Sequence, residues 1–281
     1  MSRVTVLKSI TGGARRLLPA AAVMAAAAAG GCAASTAGEV QQGQQAAAQA
    51  THSLPMVTDP DINRYITILG DSLAAVADTR DLEWHFYVVD SPEINAFALP
   101  GGFVFVNRGL IERVDSLDEL AGVLGHEIGH VTQRHSVKLQ QKGEIAQIGT
   151  GLACVLTRVC SQAAGVGINA SEGAMFAKFS RDAEHEADSV GMIYVVKAGI
   201  DPRGMTSMFE KLLAERQRSP EKLEAWFINH PIEEDRIGFT LDAIDKMDRQ
   251  QLESLTRDTP NFRKFKKRFD ALPPYPPQPA N

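Results

Sequence analysis

The chain has 281 residues, 44% of them hydrophobic and 22% charged, with a formal net charge of -5. That length allows one domain with a substantial core. Nothing in this acidic balance suggests nucleic acid, and none is expected as a partner.

Residues 1–31 carry Arg3, Lys8, Arg15 and Arg16, no acidic residue, and then the apolar run LLPAAAVMAAAAAGG. This reads as a secretory signal, too short and too Ala-rich for a membrane span. Its end, Ala29-Gly30-Gly31-Cys32, resembles the lipobox of bacterial lipoproteins, although Ala29 stands where Leu is usual. The resemblance implies a chain that begins at Cys32, acylated and anchored to a membrane by its lipid. Ala33, rather than Asp, after the cysteine implies the outer membrane, facing the periplasm. The alternative is an ordinary cleaved signal and a soluble periplasmic protein. Without residues 1–31 the net charge falls to -9.

Residues 32–54 are rich in Ala, Gln, Gly and Ser, a composition that buries no core. They are expected to form a flexible tether spanning about 25 Å, with His52 inert. The folded domain is expected over residues 55–260. Asp61 is the expected cap of a helix over INRYITILGDSLAAVAD. Two strand-like runs follow, Trp84 to Val89 and Ile94 to Val106, the second broken by Pro100-Gly101-Gly102. Pro cannot donate to a ladder, so the second run belongs at an edge or bends there. Asn95, Ala96, Phe97 and Ala98 would then offer backbone groups to an extended peptide. A buried hairpin with a bulge is the other reading.

The run SLDELAGVLGHEIGHVTQRH places Leu117, Leu120, Leu124, Ile128 and Val131 at steps of three and four, an amphipathic helix. Ser116 and Glu119 have the spacing of a capping box. His126 and His130, four apart, project from one face and can put two imidazole nitrogens on one metal ion. Glu127 lies beside that pair, placed to take a proton from a water on the metal. Gly125 and Gly129 cost roughly 1 kcal/mol each against Ala and bare a strip for close approach of another backbone or a ligand.

The Gly- and Ala-rich interval Lys138 to Ser180 reads as a packed or mobile helical hairpin, a candidate lid over the site. Cys154 and Cys160 fall inside it. Six residues apart on a continuous helix they point away from each other, so a disulfide would require a loop; two buried thiols are the alternative.

SRDAEHEADSVGMIYVVKAG is a second amphipathic helix with two acidic pairs at four-residue spacing, Glu184 with Asp188 and Asp182 with Glu186. The pairs lie on roughly opposite faces, so one can face a metal, and spacing does not say which. His185 lies between the faces and is expected in solvent. One pair could supply both a third ligand and an acceptor for the outer nitrogen of a ligating histidine.

HEIGH followed by E-x-x-x-D in RDAEHEAD, with INAFALPGG before it and NHP and a later Arg-Ile after it, resembles the gluzincin metalloendopeptidases related to HtpX and the CAAX prenyl proteases. Nearest in kind are the BepA- and LoiP-type lipoproteins of the bacterial outer membrane. The resemblance implies an α+β fold, mainly helical and zincin-type, with a small β-sheet whose edge strand binds substrate. It implies one zinc ion held by His126, His130 and Glu184, with Asp188 behind a zinc histidine. His230 and Arg236, in NHPIEEDRI, match the family's downstream polar element. His230 is then expected either to donate to an oxyanion or to block the open position in a latent form. A helical-repeat domain found in BepA-type members is absent from the expectation: past Asn261 the chain has a basic helix and a Pro-rich tail, residues 261–281.

The expected function is metal-assisted hydrolysis of unfolded or misassembled outer-membrane proteins. The outer-membrane assembly machinery is a candidate partner. The alternative is a latent or inactive zinc-stabilised module that holds unfolded polypeptide.

Overall fold

Three short apolar runs build a small mixed sheet. β1 (His85–Val89) runs parallel to β3 (Phe103–Asn107), and β2 (Ala96–Leu99) runs antiparallel to it, giving the order β1-β3-β2. The β2–β3 turn is Pro100-Gly101-Gly102, where the glycines adopt φ of 82° and 101°, conformations that side chains oppose. β2 is therefore an edge strand, as its Pro-Gly-Gly boundary suggested. The computed structural model of the chain describes residues 35–141, 179–223, 226, 230 and 234–275, all within one compact unit. The signal, Cys32, Cys154, Cys160, the lid interval over 142–178 and the end of the tail lie outside the described residues.

The residues read as a flexible tether form α1 (Thr36–Ser53), so that expectation is corrected. Ser35 accepts a hydrogen bond from Gly38 N and starts the helix. An Ala- and Gln-rich run has high helix propensity, and small side chains let a helix lie close on a sheet. Ala46, Ala47 and Ala50 pack with Phe97, Leu99, Phe103 and Phe105. A Cβ at Gly43 would overlap the Pro100 carbonyl. Buried Glu39 pairs with Arg80 at 2.9 Å and with Arg134, pinning α1 to the body.

The opposite face of the sheet, with Phe86, Val88, Ala96, Val104 and Val106, meets the helical core. α2 (Pro60–Ala77) starts at Asp59, which accepts from Asp61 N and Ile62 N, with Pro60 in the first turn. The cap is thus two residues before the expected Asp61, because Pro at the first helical position lacks the N–H that would go unsatisfied there. A short helix, α3 (Arg108–Ile111), leads to α4 (Leu117–Thr132), the helix of the HEIGH motif. The reciprocal capping box does not form. Glu119 accepts from Asp115 N, and Asp118 accepts from both Ser116 Oγ and Glu119 N, so the buried Asp118 takes the role expected of Ser116.

After α4 the backbone turns at Arg134, with φ of 59°, into α5 (His135–Gln141). α6 (Arg181–Lys197) crosses α4 closely, and α7 (Arg203–Arg218) packs beside it. α8 (Glu234–Asp245), α9 (Arg249–Ser254) and α10 (Pro260–Phe269) complete the unit. α10 is the basic helix expected in the tail. Its Phe262, Phe265 and Phe269 are buried in the same core, each contributing about 1.5–3 kcal/mol. Packing thus continues beyond residue 260. No helix among the described residues is long and apolar enough to cross a membrane.

Candidate metal centre

The close crossing of α4 and α6 is what brings two sequence-distant stretches together. A Cβ at Gly129 would stand 2.9 Å from the Ala187 carbonyl oxygen, and one at Gly191 would stand 2.9 Å from the Gly125 carbonyl carbon. The bare strip on α4 therefore receives the backbone of α6, and α6 carries Glu184 and Asp188 to the two histidines.

His126, His130, Glu184 and His230 each turn one donor atom to a common point, all within 4.8 Å of one another. His126 Nε2 lies 3.0 Å from His130 Nε2 and 3.3 Å from His230 Nδ1. Glu184 Oε1 lies 3.3 Å from both His130 Nε2 and His230 Nδ1. Ligands about 2.0–2.1 Å from a tetrahedral zinc stand about 3.3 Å apart, so these separations match the edges of a zinc tetrahedron. Imidazole nitrogens with one carboxylate oxygen are also the donor types zinc takes.

Asp188 Oδ1 stands 2.8 Å from His126 Nδ1, which leaves Nε2 to face the cluster. Arg236 holds that carboxylate from the other side, its Nε donating to Oδ2 at 2.8 Å and Nη2 to Oδ1 at 2.7 Å. Its Nη1 lies 2.6 Å from Glu184 Oε2, and its guanidinium covers the Phe209 ring at 4.3 Å. Glu127 is buried beside the cluster, with Oε1 3.6 Å from His230 Nε2 and without a hydrogen-bond partner among the described residues.

These groups tune one another. Burial drives the His130 imidazole well below its ordinary range, so the ring is neutral. Burial would push the Glu184 carboxyl up, but His230 and Arg236 outweigh it and hold it well below the usual range. Asp188 is lowered in the same way, by Arg236 and His126 against burial. Burial pushes the Glu127 carboxyl up, with His230 and His126 opposing. For His230 burial lowers, yet Glu184 and Glu127 prevail and raise it.

Of the residues singled out in the sequence, His126, Glu127, His130, Glu184, Asp188, His230 and Arg236 are thus gathered at one buried place. Ala96–Leu99 form the edge strand, against which α4 packs, and Asn95 immediately precedes it. His185 stays outside the cluster, stacked on Phe239 at 4.6 Å. Two neighbours were missed. The Phe179 ring stacks on His130 with centroids 4.1 Å apart. His135 Nδ1 lies 2.9 Å from His130 Nδ1. The only sequence signal for His135 is its position five residues after His130, across a helix break that periodicity does not announce.

The model for peptidase family M48 matches residues 60–243. The beta-barrel assembly-enhancing protease of Yersinia pestis is 32% identical over 218 residues, 74% of this chain and 44% of that protein. The protein of that name from Escherichia coli K12 is 32% identical over 217 residues, with the same coverage of 74% and 44%. The mitochondrial metalloendopeptidase OMA1 of Schizosaccharomyces pombe is 31% identical over 173 residues, 62% of this chain and 50% of that protein. The chain thus spans half or less of the length of these relatives. With the match running from α2 into α8 and enclosing the whole donor cluster, the chain belongs to peptidase family M48, a family of zinc metallopeptidases.

Proposed function

We propose that this chain is a zinc-dependent endopeptidase acting on unfolded polypeptide, with His126, His130 and Glu184 as metal ligands and Glu127 as general base. The observation that carries the reading is the convergence of the donor atoms within 4.8 Å, with buried Glu127 alongside and Asp188 behind His126. A bound zinc supplies Lewis acidity to the attacking water and to the scissile carbonyl. Glu127 takes a proton from that water as its oxygen bonds to the carbonyl carbon. It then delivers the proton to the leaving amine as the C–N bond breaks. Asp188 and Arg236 hold the His126 ring in the tautomer that presents Nε2.

Ala96–Leu99 of β2 make no backbone hydrogen bond outside the sheet among the described residues. A peptide added along that edge is bound through its main chain, which favours extended, unfolded segments over particular sequences. The names of the Yersinia and Escherichia relatives, beta-barrel assembly-enhancing proteases, support β-barrel proteins in assembly as substrates and their assembly machinery as a partner. The signal and Cys32 support a lipid-anchored place on the periplasmic face of the outer membrane.

One observation favours a second reading, a latent form that binds polypeptide without cutting it. His230 Nδ1 stands 3.3 Å from both His126 Nε2 and Glu184 Oε1, from where it would serve as a fourth ligand in place of a water. Cleavage of an unfolded protein by the purified chain, with and without chelator and beside Glu127→Gln, tests the proposal. Chelator-sensitive cleavage lost in Glu127→Gln supports it. No cleavage from a chain holding one equivalent of zinc moves the reading to the latent form, in which His230→Ala would restore activity.

A further inference from the structure

The two histidines of the HEIGH motif are backed differently. His126 leans on a buried carboxylate, whereas the outer nitrogen of His130 meets another imidazole, His135 Nδ1, at 2.9 Å. His135 is itself buried, and its Nε2 lies 3.0 Å from Glu186 Oε2, whose side chain is 45% exposed. Lys138 Nζ stands 3.6 Å from the same oxygen.

Proton counting along this chain leaves one arrangement. With Nε2 of His130 turned to the cluster as a neutral ligand, its proton sits on Nδ1 and is donated to His135. His135 Nδ1 must then be bare, so its proton is on Nε2 and is donated to the Glu186 carboxylate. Every contact has one donor and one acceptor. The carboxylate polarises His135, and His135 in turn strengthens the donation from His130.

We infer that His135 is a positioning residue for the ligand His130, oriented by Glu186, so that α6 backs both HEIGH histidines, one directly through Asp188 and one through an imidazole relay that reaches the surface. The inference rests on His126, His130 and Glu184 being the metal ligands. Glu186 belongs to the acidic pair that spacing alone set opposite Glu184, and the relay gives Glu186 a role.

The test is zinc affinity of the purified full chain, measured by competition with a chromophoric chelator, together with the visible spectrum of the cobalt-substituted protein. His135→Leu is expected to weaken zinc binding by about tenfold to a hundredfold and to shift the cobalt bands. His135→Asn keeps an acceptor oxygen near the place of Nδ1 and is expected to restore most of the affinity and the original spectrum. Glu186→Gln, at the surface, is expected to weaken binding less than His135→Leu. Unchanged affinity and spectrum in His135→Leu would overturn the inference. If that variant fails to fold, unchanged affinity in Glu186→Gln overturns it instead, and weakened affinity there supports it. A wild-type chain that takes up no zinc defeats the ligand assignment itself, and this inference with it.

Discussion

Gly125 and Gly191 face each other where α4 and α6 cross, so closely that a Cβ on Gly191 would lie 3.0 Å from the Gly125 carbonyl oxygen and from His126 N. Gly191→Ala should gain about 1 kcal/mol of helix propensity but lose about 1–3 kcal/mol to overpacking. The expected result is a modest fall in unfolding free energy with a clear fall in zinc affinity, as Glu184 and Asp188 move with α6. Denaturant unfolding and metal competition measure the two separately, and unchanged affinity would contradict the role given to the crossing.

Arg236 neutralises two buried carboxylates, Asp188 and Glu184. Arg236→Met keeps much of the side chain's bulk over Phe209 and leaves those charges unpaired. The cost is expected at about 3–5 kcal/mol, read by thermal or denaturant unfolding. Arg236→Lys should lose less stability, yet it cannot reproduce the paired contacts to Asp188, so zinc affinity should still fall.

Glu127→Gln should retain fold and zinc while hydrolysis of an unfolded protein falls by about 10²–10⁴. Metal content is measured on the same sample as activity. Loss of zinc in this variant would instead make Glu127 a ligand.

A chain that begins at Pro55 lacks α1 and uncovers Phe97, Leu99, Phe103 and Phe105. It should aggregate or melt well below the intact chain, whereas removal of a flexible tether would leave melting unchanged. Glu39→Ala is a milder version that removes the carboxylate contacts to Arg80 and Arg134 without uncovering the sheet.

Tyr65 stacks on Phe265 at 4.3 Å, and burial pushes its phenol up to about 12 from an ordinary 10.0. Between those values the unfolded chain has given up the proton and the folded chain has kept it. The unfolded state therefore binds fewer protons, and stability falls as pH rises through this window. Tyr65→Phe keeps the ring stack without the ionisation. Its unfolding free energy should fall less steeply than that of the parent between pH 10 and 12.

Much of the site was legible because it depends on short-range geometry. His126 and His130 share a face whatever surrounds them, and Gly125 and Gly129 announced a close approach before the partner was known. Glu184 and Asp188 could not be chosen over Asp182 and Glu186 by periodicity, because the choice depends on how α6 is rotated against α4. The helix α1 was misread for a related reason: an Ala- and Gln-rich run looks alike whether it is solvated or laid on the aromatic face of a sheet, and Phe97 and Phe105 decide the matter from fifty residues away. Asp118 displaced Ser116 at the start of α4 for want of any sequence cue to its burial.

α6 presents Glu184 to the donor cluster, Glu186 to His135 and Asp188 to His126. Three carboxylates within five residues are therefore committed to imidazoles from one continuous stretch, residues 126–135. Local opening of either segment breaks all three contacts together. In hydrogen exchange the amides of the first two turns of α6 and those of the C-terminal half of α4 should consequently exchange as one block, with a shared opening free energy, although some fifty residues of chain separate them.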